Sequence, residues 1–307
     1  MKIRLEKHLS YALLILVTAM AFRLSHRVGW LGPFRELAEP CNVVDPTGRT
    51  IFCTSLPVSV GDQYLGSGNM RYVVVETGKG FARARPAADG EPPYPEVGPC
   101  LASPSAASEA IPLGVVSRVC VIYHTHTDES YISEGSSLQP GRGGVLSVGE
   151  AFAASLKKAG FAVVHDKTRH EPHDALAYVR SRRTAYANLK YRPYLLFDVH
   201  RDAAPQEYYT TVIDGAPSAQ ILIVVGRQNP LMAANLLVAK KLKAVADQVH
   251  PGLVKGIFLA MGHYNQDLDP GALLLEVGSD RVPLELARRA IMLFTDAVAA
   301  AFGAPGV

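Results

Sequence analysis

Three short apolar runs punctuate the second half of the chain, and each gives way abruptly to residues that carry chemistry. Val119–Tyr123, Leu195–Val199 and Ala272–Leu275 have the β-branched, aliphatic and aromatic content of buried strands. The first ends in His124, His126, Asp128 and Glu129, the second in His200-Arg201-Asp202, and the third in Glu276. Phe161–His165 and Ile221–Gly226 read as two further strands. Helical patterns lie between these runs. Ser147 stands three residues before Glu150, a capping-box spacing that leads into Ala151–Ala159, and Gly160 stops that helix. Asp174–Leu189 is helical with Arg180, Arg182 and Arg183 on its exposed side, and Pro230–His250 and Leu284–Phe302 are long amphipathic segments. Strands alternating with helices from Val115 onward predict an α/β fold, a mostly parallel sheet with helices on both faces.

The first third of the chain has a different texture. Lys2, Arg4 and Lys7 precede the uncharged apolar stretch Leu9–Phe22, which Arg23 and Arg27 close. That order predicts a membrane-targeting segment with its N-terminus inside and the body of the chain outside the cytoplasm. The stretch is shorter than the roughly 20 residues a full span needs. Ala19-Met20-Ala21 also fits a signal-peptidase site, so residues 1–27 read as either an anchor or a cleaved signal. Residues 28–112 are mixed: strand-like runs in Asn42–Ser59 and Arg71–Glu76, then Ala82–Pro112, whose Pro, Ala, Ser and Gly content predicts a flexible linker. The catalytic domain is expected over residues 113–307.

The polar residues at the three strand ends sharpen the picture. In open α/β sheets, ligands bind just past the carboxyl ends of the strands. A set drawn from His and Glu, with a position left for water and a spare carboxylate, has the composition of a catalytic zinc site. His126 and Glu129 stand at His-x-x-Glu spacing, and His200 has no nearby rival. His124 is an alternative ligand or a residue that orients one. Glu150 competes with Glu129, although the capping box already accounts for it. Glu276, preceded by Leu273-Leu-Leu275, reads as a buried general base and acid, and burial would raise its pKa to suit both roles. Arg201 is a candidate for polarising a carbonyl or holding a carboxylate; a salt bridge to Asp198 or Asp202 is its structural alternative.

Four segments in order, Tyr123–Tyr131 (Tyr-His-Thr-His-Thr-Asp-Glu-Ser-Tyr), Asp198–Ala203 (Asp-Val-His-Arg-Asp-Ala), Tyr264–Leu268 and Leu273–Gly278, resemble the stage II sporulation protein P family. The resemblance covers roughly Val115 to the C-terminus. It implies a zinc amidase or carboxypeptidase-like fold and an N-acetylmuramoyl-L-alanine amidase that hydrolyses peptidoglycan during endospore engulfment. It also implies Zn2+ as cofactor, an uncleaved anchor, and two partners: a lytic transglycosylase and an engulfment membrane scaffold. Zinc amidases of the similar class place their first ligand a few residues past the strand, which favours His126 over His124; some place the ligand Glu at the start of the first helix, where Glu150 falls. The implied metal set is His126, Glu129 and His200, with Glu276 and Arg201 acting on substrate. Asn265 and Gln266 of the Tyr264–Leu268 segment are expected to line the cleft.

Composition narrows the alternatives. A net charge of only +3, interspersed, excludes a nucleic-acid surface. Cys41 and Cys53 suit a disulfide in an exported protein, Cys120 reads as a small buried hydrophobe, and Cys100 has no assignable role. No Cys-x-x-Cys spacing exists, so a thiolate zinc site is not expected. His165, His170, His173, His250 and His263 lack strand-end context and read as locally satisfied or solvated. A stem-peptide endopeptidase or carboxypeptidase, and a silent wall-binding protein, are the competing functions.

Overall fold

A computed structural model of the chain describes residues 39–88, 91, 118–135, 138–139, 141–174 and 176–303. The expected membrane segment, Leu9–Phe22, and Cys100 lie outside the described residues. Among those described, no helix is long and apolar enough to cross a membrane.

The apolar runs of the second half form one continuous set of strands. β6 (Val119–Tyr123), β7 (Ala162–His165), β8 (Leu195–Asp202), β11 (Ile221–Gly226), β12 (Val254–Ala260) and β13 (Ala272–Ser279) pair in the order β12-β11-β13-β8-β6-β7. Within this half only the β11–β13 pairing is antiparallel. The sheet does not stop there. β1 (Cys41–Val44), β2 (Thr50–Thr54), β3 (Gln63–Leu65), β4 (Arg71–Gly78) and β5 (Phe81–Pro86) extend it on the β12 side, through an antiparallel β3–β12 pairing, to eleven strands. The expected parallel sheet is therefore a mixed one, since the added strands pair antiparallel except for β1 with β5. A two-stranded ribbon, β9 (Thr210–Ile213) with β10 (Ala216–Ala219), stands apart from it.

β5 corrects the expected linker, which was read from Ala82. Phe81-Ala-Arg-Ala-Arg-Pro alternates small apolar and charged residues, and the buried positions are Ala82 and Ala84. With methyl groups as its only buried side chains, such a strand lacks the bulky apolar signature that marks strands in a sequence.

Among the described residues, four helices cover the sheet: α1 (Gly144–Lys158), α2 (Ala177–Asn188), α3 (Met232–Val249) and α4 (Leu284–Phe302). α1 and α4 pack together on one face, where Phe152 meets Phe197 at 5.1 Å and Phe294 at 6.2 Å between ring centroids. Burying each such ring contributes roughly 1.5–3 kcal/mol. α2 covers the other face, with Ala185 against Val121, Tyr123, Leu196 and Ala272. Register fixes which side chains share that α2 face. Tyr123 pairs with Asp198, and Asp198 with Leu274; two residues on, His200 pairs with Glu276.

Two expectations about local structure change. α1 begins at Gly144, three residues before the expected cap, so Ser147 and Glu150 lie inside the helix and make no capping box. A Cβ on Gly143 would fall 2.2 Å from the Glu129 carbonyl oxygen, so glycine is what lets the Asp128–Glu129 backbone lie against this helix start. Cys41 and Cys53 are free and buried rather than joined. Their strands pair Cys41 with Thr54 and Asn42 with Cys53, one residue out of line, which turns the two side chains to opposite faces. Burial pushes the thiols up to about 11 and about 12. Cys120 is likewise a buried free cysteine inside β6.

Candidate metal centre and active site

β6 delivers its polar tail between β8 and the start of α1. Thr125 donates from both its backbone N and its Oγ1 to Asp198, at 2.8 and 2.6 Å, which turns the chain sharply after the strand. The next residues then project their side chains over the α2 face. Glu129 ends up almost fully buried, its Oε1 3.3 Å from His200 Nδ1 and its Oε2 accepting the Arg201 backbone N–H at 2.9 Å. His126 lies edge-on to His200, with ring centroids 5.3 Å apart.

A second loop closes the other side. Between β7 and α2 the chain brings His173 face to face with His126, at 3.7 Å between centroids. Asp128 Oδ1 holds His173 Nδ1 at 3.0 Å. One ligand-capable atom from each of His126, Glu129 and His173 lies within 4.8 Å of the others. Thr127 donates to Glu171 in the same loop, which fastens the two segments together.

β8 and β13 do not end where their apolar runs end. Both continue to Asp202 and Ser279, so His200 and Glu276 sit within the sheet as neighbours in register. The expectation of strand-end residues fails because a strand inside a covered sheet can keep polar side chains when they face a polar site. His200 Nε2 is 2.9 Å from Asp198 Oδ1, close enough for charge pairing but off the line of a hydrogen bond. Burial alone would lower the His200 pKa; the Asp198 and Glu129 carboxylates outweigh it and hold the imidazole well above its usual value. Asp198 is held below the carboxylate range, because the His200 charge and the Thr125 hydrogen bonds overcome the opposing, larger single effect of burial. His126 is driven well below the usual histidine value by burial, with His173 and His200 adding to the effect.

Glu276 is 2% exposed, and its Oε2 has no hydrogen-bond partner. Burial pushes its carboxyl well above the usual range; His200 and Arg201 pull against this, and the Asp202 and Glu129 carboxylates add to it. Arg201 is also buried. Its Nε donates to the Ser130 carbonyl at 3.1 Å, on the face opposite His200.

The two alternative ligands are turned elsewhere. His124 is sealed between the Val199 carbonyl (Nδ1, 2.8 Å) and His165 (Nε2 to Nε2, 2.8 Å). Glu150 is exposed on the outer side of α1 and pairs with Lys167. Asn265 and Gln266, expected to line the cleft, have committed side chains. Asn265 donates to the Tyr178 carbonyl and Ser181 Oγ, and Gln266 bridges the Gly226 N–H and the Val224 carbonyl. Their work is to hold the Tyr264–Leu268 turn against α2 and β11. The roles that the sequence alone did not give are those of His173, of Asp128 as its holder, and of Asp198 behind His200.

The donor set fits a zinc ion. His126 is kept in the neutral form that binds metal, and Glu129 is an anionic oxygen donor between imidazoles. Tetrahedral zinc ligands stand about 3.3 Å apart, which is the separation of Glu129 Oε1 and His200 Nδ1. Glu276 Oε2, a buried oxygen with no hydrogen-bond partner, is what a site built around a missing group leaves behind.

The model of the stage II sporulation protein P family matches residues 108–299. Stage II sporulation protein P of Bacillus subtilis (strain 168) is 31% identical over 194 residues, which cover 56% of this chain and 48% of that protein. The chain thus spans about half the length of this relative. Among solved structures, the N-acetylmuramoyl-L-alanine amidase of Clostridium difficile 630 is similar at 13% identity and a TM-score of 0.41, over 62% of this chain and 99% of that one. The amidase AmiC2 of Nostoc punctiforme is similar at 12% identity and a TM-score of 0.39, over 61% and 96%. With the family model matching 108–299 of 307 residues, and with its motifs gathered in one buried site, the chain belongs to the stage II sporulation protein P family.

Proposed function

We propose that this chain is a zinc-dependent peptidoglycan hydrolase that cleaves the amide between N-acetylmuramic acid and L-alanine during sporulation. The observation that carries the reading is that Glu129 lies against both His126 and His200, over the sheet face that carries a buried, unpartnered Glu276 oxygen; the tightest three-residue grouping there is His126, Glu129 and His173. Family membership and the resemblance of the Tyr123–Tyr131 and Asp198–Ala203 segments support the substrate.

His126, Glu129 and His200 would hold the metal. Zinc bound there supplies a Lewis acid and brings the ionisation of water down to about pH 7. Asp198 fixes the His200 ring, so that the imidazole presents Nδ1 toward Glu129 and His126. Glu276 takes the proton from the attacking water and returns it to the departing amine nitrogen. Its raised pKa suits a carboxyl that must be base first and acid second. Arg201 holds the Ser130 carbonyl and, through its own backbone N–H, one oxygen of Glu129, so that it positions the carboxylate.

Muropeptides released from purified wall by the full chain test the reading by mass spectrometry. The full chain is required because removing residues before Val115 would strip β3 from β12 and bare that edge. Free stem peptides beginning at L-alanine, lost on chelation and restored by zinc, are expected. Cleavage within the stem would replace amidase by endopeptidase, and wall binding without release would leave a binding protein.

A further inference from the structure

The zinc reading uses one imidazole from the β6 turn and one from β8, yet a third reaches the same place. His173 comes from the loop between β7 and α2, and its ring covers that of His126 at 3.7 Å, nearly parallel at 14°. His173 is the imidazole that joins His126 and Glu129 in the mutual 4.8 Å grouping, and its side chain is 11% exposed. Its Nδ1 is engaged by a carboxylate of its own, Asp128, at 3.0 Å. Imidazoles that bind metal through one nitrogen commonly give the other to a carboxylate, which fixes the ring and raises its basicity. His200 also has a carboxylate behind it on the far side, Asp198 Oδ1 at 2.9 Å from Nε2, though off the line of a hydrogen bond.

We propose that His173 is a further protein ligand of the metal centre, facing it through Nε2 while Asp128 holds Nδ1. The proposal rests on the zinc reading above. Its consequence is a coordination sphere with a buried side, Glu129 and His200, and a partly exposed side, the stacked rings of His126 and His173. With zinc bound, a fifth ligand position or release of His173 would make room for substrate or water. The two carboxylate-backed imidazoles also stand on different supports: His200 is locked in the sheet, whereas His173 is held to the β6 turn by Asp128 and, through Thr127 and Glu171, by its loop.

Zinc affinity of the full chain, measured by competition with a chromophoric chelator, tests this without relying on activity. The variants are His173→Phe, which keeps a ring stacked on His126 but removes the donor, and Asp128→Asn, which keeps size but weakens the hold on Nδ1. His173→Phe is expected to weaken zinc binding by at least 100-fold, and Asp128→Asn by about 10–100-fold, the range for groups that orient a ligand. The cobalt(II) form of His173→Phe should also show a shifted visible absorption band, because one nitrogen donor is gone. Zinc affinity within twofold of the unaltered chain in His173→Phe, with an unchanged cobalt spectrum, would overturn the assignment and leave the zinc reading standing. Failure of the unaltered chain itself to bind zinc would overturn both.

Discussion

His124 and His126 stand two residues apart just past the end of β6, yet each meets a second histidine in a different way. His124 and His165 point their Nε2 atoms at each other across 2.8 Å, and the remaining nitrogen of His124 is spent on a backbone carbonyl. His126 and His173 instead stack face to face, with Asp128 and Glu129 at their edges. Both pairs are buried or nearly so, and burial depresses the charge on His124, His165 and His126 alike. Burial and neutrality therefore do not make a metal site. The second pair has in addition carboxylates at its ring edges, an anionic oxygen in Glu129 and a hydrogen-bonded holder in Asp128, whereas among the described residues neither ring of the first pair hydrogen-bonds a carboxylate.

The largest effect should come from breaking the second pair. His126→Ala is expected to lose bound zinc and all measurable wall hydrolysis, whereas His165→Gln should keep both; metal content after dialysis and dye release from labelled wall read the difference. Zinc loss in His165→Gln and not in His126→Ala would reverse the roles assigned to the pairs.

Glu276→Gln sharpens the line between holding a metal and moving a proton. The amide keeps the size of the side chain but cannot accept a proton, so turnover should fall by about 10²–10⁴-fold. Zinc affinity should stay near that of the unaltered chain. A parallel loss of zinc would move Glu276 into the metal set.

The His124–His165 pair has its own signature in pH. His165 is depressed to about 4 and His124 to about 3, both by burial first, below the roughly 6.5 of an unfolded histidine. The unfolded chain therefore takes up these protons first as pH falls. Stability is fully present above about pH 6.5 and lost progressively toward pH 4, with a slope of up to about 1.4 kcal/mol per pH unit for each histidine. Denaturant midpoints from pH 7 to 4.5 should show this fall, and His165→Gln should flatten it. An unchanged slope would mean that the pair is already protonated in the folded state.

Gly149 probes the same contact from α1. A Cβ there would lie 2.6 Å from Nε2 of both His124 and His165, so the helix can approach the pair only where it has no side chain. Gly149→Ala should cost about 1–3 kcal/mol by overpacking, despite alanine's better helix propensity. Zinc affinity should not change.

Much of the fold was legible. Ile221–Gly226 and Leu284–Phe302 match their sequence patterns residue for residue, because continuous apolar runs and 3.6-residue periodicity are local signals. β5 was not, since Ala82 and Ala84 are its only buried residues. In the site, the motif residues His126, Glu129, His200 and Glu276 could be singled out because they follow apolar runs. Their distribution, with two inside strands and two on a turn, could not. His173 carried no local mark at all: its place depends on the path of the β7–α2 loop, and its partner Asp128 lies 45 residues away.

The smallest effect belongs to the one acidic residue that the sequence set against Glu129. The His-x-x-Glu spacing and the position near a helix start gave Glu129 and Glu150 rival claims, and local pattern had no means of choosing. Burial and direction separate them. Glu129 is 3% exposed and pinned by His200 and the Arg201 N–H, whereas Glu150 is 56% exposed and reaches away from the sheet to Lys167. An exposed pair of this kind is worth about 0.2–1 kcal/mol, and salt screens it. Glu150→Gln should therefore shift the denaturant midpoint only within that range, less at high salt, and leave zinc affinity and wall hydrolysis untouched. Glu129→Gln, which replaces an anionic donor with a neutral one, should weaken zinc binding and recover activity when zinc is in excess. A zinc deficit in Glu150→Gln that excess metal repairs would transfer the ligand role to α1, and with it the distinction between the two histidine pairs.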